Sequence, residues 1–142
     1  MFGLLVISII LNVIILLYLL RQQDKQLTYI VIADVVCSLI ISVGVLAQSI
    51  FKQIDPILFE NIIYIGTCFL PVSIYFTGLI YVNTKITFKK RYLLLFIIPI
   101  ISLLVLWTNQ HHHWFYVKYS ESFTDTIYGP YFYVHTIYSY LL

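Results

Sequence analysis

The sequence predicts an all-α fold, a polytopic bundle of transmembrane helices. Of its 142 residues, 61% are hydrophobic and only 10% are charged, whereas soluble domains carry about 25% charged residues. The charged residues fall in a few short clusters that separate long uncharged stretches. A soluble core could not bury so much apolar surface, so the lipid bilayer is the expected surrounding. The small net charge of +2 does not suggest nucleic-acid binding.

Hydropathy divides the chain into four full spans and part of a fifth. Residues 2–20 carry no charge and would form a helix about 28 Å long, close to the hydrocarbon thickness of roughly 30 Å. The predicted spans, all within one incomplete transmembrane domain over residues 1–142, are 2–20, 27–51, 57–83, 88–107 and 131–142. The fourth span is short unless residues 88–91 supply its first turn. The last stretch is too short for a crossing helix of roughly 20 residues, so we expect a fragment or a truncated reading frame.

The basic residues predict the orientation of the bundle in a cell membrane. Loops two and four contain only Lys52 and Lys118, whereas the others contain Arg21, Lys25, Lys85, Lys89, Lys90 and Arg91. The positive-inside rule places loops one and three in the cytoplasm. The N-terminus is then extracellular, and so is the segment 108–131, which we expect to be a polar loop.

Two acidic residues lie within predicted spans, where charge is costly. Asp34 shares a face of the second helix with three serines, and Glu60 shares a face of the third with Tyr64. Close packing of the helices explains the small residues on these two faces, but it does not explain the two acids. Asp34 lies about 10 Å from the cytoplasmic edge at 1.5 Å per residue, so it needs a partner, a water-filled pocket or a proton.

Several polar side chains are expected at one level near the extracellular ends of the helices. A ligand pocket between helix ends would bring them together; its candidate residues are Glu60, Tyr64, Asn109, His112, Tyr131 and His135. The alternative is that they are interfacial residues that water and lipid head groups satisfy. Trp114 to Tyr116 are expected to anchor the loop at the membrane interface.

The run His111–His113 raises the question of a metal site. Adjacent side chains diverge by about 100° per residue on a helix or alternate across a strand, so three neighbours rarely bind one ion. We therefore predict no metal and no other cofactor. The alternative is a metal site formed by one loop histidine together with His135 and Glu60. A pH-sensing role for these histidines is a further hypothesis.

The stretch from Leu58 onwards resembles the seven-transmembrane N-terminal region of bacterial sensor histidine kinases. The matching motifs occur in the family's order and are Tyr64 and Gly66, Leu70-Pro71, Ile97-Ile98-Pro99, Thr108, Asn109 and His112, and Gly129-Pro130. The first two spans match only as generic apolar helices.

This resemblance implies a sensory bundle for signal transduction, facing the outside of the cell. Such a bundle controls a cytoplasmic output, most often a histidine kinase of a two-component system and sometimes a diguanylate cyclase. The chain itself would then carry no catalytic residue, would respond to an unidentified small molecule or membrane signal, and would form a homodimer through the missing output domain. The alternative is a fragment of a transporter or channel, in which Asp34 and the serines line a path.

Overall fold

A computed structural model describes residues 2–22, 26–83, 86–87, 89–120 and 125–142. Over these residues, four helical segments are long and apolar enough to cross a membrane, which confirms the predicted all-α polytopic class. The elements are α1 (Phe2–Leu20), α2 (Gln26–Ile50), α3 (Pro56–Asn83), a 3-10 helix (Lys90–Phe96), α4 (Ile97–Trp107), α5 (Asn109–His112), β1 (Tyr116–Lys118), β2 (Ile127–Tyr128) and α6 (Pro130–Leu141). Lys25, Lys85 and Phe88, which entered the predictions of orientation and span, lie outside the described residues.

The helices α2 and α3 form the closest pair of the bundle because glycine lets their backbones approach. A Cβ atom on Gly66 would lie 2.5 Å from the carbonyl oxygen of Cys37. In the same interface, a Cβ on Gly44 would lie 2.6 Å from Cγ1 of Ile63. The outer helix α1 contacts α2 but has no buried residue, so most of its apolar surface is available to lipid.

Two clusters of buried side chains hold the bundle together at different depths. One contains Tyr64, Cys68, Leu103, Leu106, Phe115 and Tyr116. The other contains Val72, Phe76, Ile80 and Ile86. The first cluster lies at one end of the bundle, which we call the hairpin end. Its described residues are 51–55, 108–120 and 125–129. Burial in these clusters positions α3 against the segment that follows α4.

The fourth crossing segment begins as a 3-10 helix, and Pro99 follows three residues after its end. Proline has no N–H, so Pro99 cannot donate to the carbonyl of Leu95 four residues earlier. The hydroxyl of Tyr138 in α6 donates to this carbonyl instead. A hydroxyl from a distant part of the chain therefore replaces the hydrogen bond that Pro99 cannot make.

The segment predicted to be a polar loop is largely folded. Strands β1 and β2 pair in antiparallel fashion, with Tyr116 opposite Tyr128 and Lys118 opposite Ile127. Of the three residues expected at the membrane interface, only Trp114 is exposed, whereas Phe115 is 0% exposed and Tyr116 is 6% exposed. That expectation was wrong for Phe115 and Tyr116, because both pack into the bundle itself.

Candidate functional site

The carboxylate of Glu60 accepts hydrogen bonds from two phenols of the hairpin end. The hydroxyl of Tyr116 donates to Oε1 at 3.0 Å, and the hydroxyl of Tyr119 donates to Oε2 at 3.3 Å. Gln48 of α2 donates from Nε2 to the oxygen of Tyr119 at 2.8 Å. A chain of donors thus runs from α2 through the hairpin end to the acid on α3.

Tyr116 is the residue that ties this acid to the buried cluster. Its phenol oxygen lies 3.1 Å from that of Tyr64, and its ring packs edge-on against Phe115 with centroids 5.1 Å apart. Burial raises the pKa of the Tyr116 phenol above its ordinary value. The group therefore acts as a neutral hydrogen-bond donor towards Glu60.

A cavity of about 610 Å³ opens beside Glu60 at the hairpin end. Its size is within the range of small-molecule sites. Four parts of the chain line it: Phe2 and Leu5 of α1; Val45, Gln48, Ser49 and Lys52 at the end of α2; Glu60 and Ile63 of α3; and Tyr116, Tyr119, Ser120, Thr126 and Tyr128 of the hairpin end. We call this space the Glu60 cavity.

His135 and Tyr131, predicted to share a pocket with Glu60, belong to a neighbouring buried cluster. His135 is 5% exposed, and its Nδ1 lies 3.2 Å from Oγ of Ser102. The hydroxyl of Tyr131 lies 3.4 Å from the same Ser102 oxygen. Tyr64 is the link between the two groups, since its ring centroid lies 5.7 Å from that of His135.

Asn109 organises the turn that carries Tyr116. Its Oδ1 accepts hydrogen bonds from the backbone N–H groups of Phe115 and Tyr116 at 2.9 and 3.1 Å. Its Nδ2 donates to the carbonyl of Tyr116 at 2.9 Å. All three bonds are internal to the protein, so Asn109 positions the residues that contact Glu60.

His112 closes the same turn with both ring nitrogens. Its Nδ1 accepts from the backbone N–H of Trp114 at 3.0 Å, and its Nε2 lies 3.0 Å from Oγ1 of Thr108. Since Nδ1 is an acceptor, the proton of the neutral ring belongs on Nε2, facing Thr108. His112 thus has a structural position beside the site.

The histidine run does not assemble into a metal site. Within the described residues, no three His, Cys, Asp or Glu side chains lie close enough together to hold an ion. The combination of a loop histidine with His135 and Glu60 is not formed. His113 ends α5 with φ of 54°, in the left-handed region.

Asp34 finds one partner across the α2–α3 interface. Its Oδ2 accepts a hydrogen bond of 2.7 Å from the hydroxyl of Thr77 on α3. Its Oδ1 is buried and has no hydrogen-bond partner among the described residues. The expected need for a partner is therefore met on one oxygen only.

Sequence reasoning did not identify the tyrosines that complete the Glu60 site. Tyr116 and Tyr119 belong to a polar segment. Because the chain contains thirteen tyrosines, each of the two resembled an ordinary membrane-interface residue. Only the folding of the hairpin end brings them to an acid more than fifty positions away. The available signal was Glu60 itself, because a carboxylate near a helix end needs hydrogen-bond donors nearby.

The fold and the site define a multi-pass membrane protein with a cavity between the hairpin end and the ends of three helices. The family model described as the N-terminal 7TM region of histidine kinase matches residues 4–142, and the chain belongs to this family. It is thus a membrane domain of the sensor type that precedes histidine kinases, and the match includes the first two helices. No curated protein and no solved structure matches the chain.

Proposed function

We propose that this domain receives a small-molecule or membrane-borne signal in the Glu60 cavity and passes it to a cytoplasmic output. That output is a histidine kinase, or a diguanylate cyclase, of a bacterial signalling protein. The observation that carries the proposal is the lining of the cavity, to which α1, α2, α3 and the hairpin end all contribute. An occupant would contact four elements at once and so bias their relative positions.

The hairpin end provides a route from the cavity to α6. Gly129 donates its N–H to the carbonyl of Phe115 at 2.8 Å, and Tyr131 donates to that of Trp114 at 3.0 Å. A Cβ on Gly129 would lie only 2.1 Å from the Trp114 oxygen, so this junction is tightly packed. An occupant that changes the Tyr116–Glu60 contact would shift the start of α6 with it, which is a packing switch of the kind that signalling bundles use.

The orientation is a second part of the proposal. The described basic residues at the end opposite the hairpin end are Arg21, Lys89, Lys90 and Arg91. Under the positive-inside rule they support an extracellular hairpin end. The native cysteines Cys37 and Cys68 are buried, so Lys118→Cys gives a single accessible thiol. A membrane-impermeant maleimide should label this variant in intact cells, and labelling only after lysis would reverse the orientation.

The signalling role is tested on the product of the full gene in native membranes. Transfer of labelled phosphate from ATP is compared between the wild type, Tyr116→Phe and Glu60→Gln, with Asp55→Asn as a control. Asp55 lies at the same end and accepts the N–H of Ile57 through Oδ1 at 3.0 Å, a role that Asn also performs. We expect a changed output in the first two variants only. An unchanged output in both would contradict a sensory role for the cavity.

The same membranes test the expected dimer. We propose that two copies associate through the output domain, because the output lies outside the bundle. Crosslinking should then capture dimers of the full product, whereas residues 1–142 expressed alone should remain monomeric. Dimers of the isolated domain would place the association in the membrane.

A transporter fragment is the second candidate. It is favoured by Oδ1 of Asp34, which has no hydrogen-bond partner among the residues that the structure describes. A buried carboxylate oxygen without a partner is a feature of proton and ion paths. Liposomes containing the protein should in that case show a proton or sodium leak that Asp34→Asn abolishes. A leak equal to that of empty liposomes would remove this candidate.

A further inference from the structure

We propose that the Glu60 cavity recognises a small organic cation, an ammonium group joined to an apolar body. This inference rests on the proposed function, which makes the cavity the sensory site. It goes further by naming the chemical class of the ligand from the charge and shape of the lining residues.

The carboxyl group of Glu60 is held in position by the hairpin end. Both oxygens of Glu60 accept a phenol proton, and the Gln48 amide holds the Tyr119 oxygen as an acceptor. Burial of Glu60 opposes the ionised form of its carboxyl group, and the two phenol donors aimed at it counteract that effect. An ammonium group beside the carboxyl group would favour the ionised form further. Within the described residues, the contacts of this carboxylate are to phenols and not to a Lys or Arg side chain.

Glu60 also retains capacity for a further donor. An ionised carboxylate has roughly four acceptor sites, and the described hydrogen bonds use two of them. An incoming ammonium N–H would add a charge-assisted hydrogen bond, which is stronger than one between neutral groups. A neutral hydroxyl of the same size would add the weaker kind only.

Aromatic rings surround the same space. The Tyr116 ring lies edge-on to Tyr119 with centroids 5.3 Å apart, and it is tilted against Tyr128 at 5.7 Å. The faces of aromatic rings carry negative potential and attract ammonium groups. Phe2, Leu5, Val45 and Ile63 then supply apolar walls for the body of the ligand.

Lys52 is the one basic side chain among the lining residues, and it is exposed. Water and salt weaken the field of an exposed charge far more than that of a partly buried one such as Glu60. A flexible lysine can also turn its ammonium group into solvent. Among the described lining residues, the acidic group is therefore the one that hydrogen bonds hold in position.

Two sources offer such a cation, a soluble amine and the ethanolamine head group of a lipid. The test uses the purified chain in nanodiscs of phosphatidylglycerol, which has no ammonium group. Phenethylamine is the probe and phenethyl alcohol is its neutral counterpart, with heats of binding corrected by empty nanodiscs. We expect the amine to bind at least roughly tenfold more tightly than the alcohol, the difference typical of a charge-assisted hydrogen bond.

Two variants with the same change of charge locate the effect. Glu60→Gln should reduce the affinity for the amine by roughly tenfold or more, whereas Asp55→Asn should leave it unchanged. Replacing part of the lipid by phosphatidylethanolamine identifies the source. Competition with the amine would assign the site to the head group, and an unchanged affinity would assign it to a soluble amine.

Equal affinity of the wild-type protein for the amine and the alcohol would overturn the proposal, even if Glu60→Gln failed to fold. Unchanged amine affinity in a folded Glu60→Gln protein would overturn it as well. The proposed function fails separately: if the amine does not bind but Glu60→Gln changes kinase output, the site is sensory and only the ligand class is wrong.

Discussion

Replacing Asn109 by Ala should loosen the hairpin end while leaving the helices in place. The side chain makes three hydrogen bonds to the backbone of Phe115 and Tyr116, at 2.9, 3.1 and 2.9 Å. Alanine removes all three and leaves two N–H groups and one carbonyl without these partners. Both residues that lose a partner are buried, so water cannot readily replace the amide.

The size of the effect follows from those three bonds. A net loss of about 1 kcal/mol for each bond, with more for a buried group left unsatisfied, gives about 2–4 kcal/mol for local opening. At about 1.4 kcal/mol per tenfold change, this corresponds to roughly a thirtyfold to thousandfold increase in opening. The change should be confined to the turn because the crossing helices keep their own backbone hydrogen bonds.

Hydrogen exchange of the backbone amides measures this opening directly. The amides of Phe115 and Tyr116 should exchange faster by the factor given above in Asn109→Ala, while those in the centre of α3 should not change. Gln110→Ala is the matched control, since Gln110 is an exposed neighbour on α5. Exchange at Phe115 and Tyr116 that stays within about threefold of the wild type would refute the assigned role of Asn109.

Three further predictions concern the bundle. Gly66→Ala would place Cβ 2.5 Å from a backbone oxygen of α2. It should cost about 1–3 kcal/mol of stability and lower the melting temperature. In the control Gly78→Ala, the added Cβ meets nothing within 4 Å, so the melting temperature should not fall. Thr77→Val removes the hydroxyl that donates to Asp34 at 2.7 Å and should lower the free energy of unfolding by about 1–3 kcal/mol. Thr77→Ser keeps the hydroxyl and should restore stability. Equal stability of the two variants would argue against this hydrogen bond. Burial raises the pKa of the Tyr116 phenol. The contribution of Tyr116 to stability should therefore be constant below about pH 10 and decline at higher pH, because the phenol of the unfolded chain loses its proton first. Unfolding midpoints measured up to about pH 11 should show a weaker decline in Tyr116→Phe, and an identical decline would contradict this.

The fold class could be predicted from the sequence because membrane-spanning helices depend on local properties. Apolar runs of sufficient length determine where a helix can cross, as α1 shows over residues 2–20. The 3-10 start of the fourth segment was not predicted, although Pro99 was visible. Nor could the partner of the carbonyl that Pro99 leaves free be predicted, because it is the hydroxyl of Tyr138 on α6.

The candidate site was predictable only in part. Glu60 stood out because an acid near the end of a crossing helix needs partners, and the structure supplies two phenols. Tyr131 and His135, expected in the same group, lie within hydrogen-bond distance of Ser102 instead. Residues on one level of a bundle share a depth, but their angular positions around each helix decide which of them meet.

The sequence by itself determined that the chain crosses the membrane, which stretches do so, and to which family its motifs belong. These properties depend on composition and short-range order. The tertiary structure decided that residues 108–120 and 125–131 are folded and that Tyr116 and Tyr119 bind Glu60. Such contacts join residues more than fifty positions apart, so they follow from packing and strand pairing rather than from any local pattern.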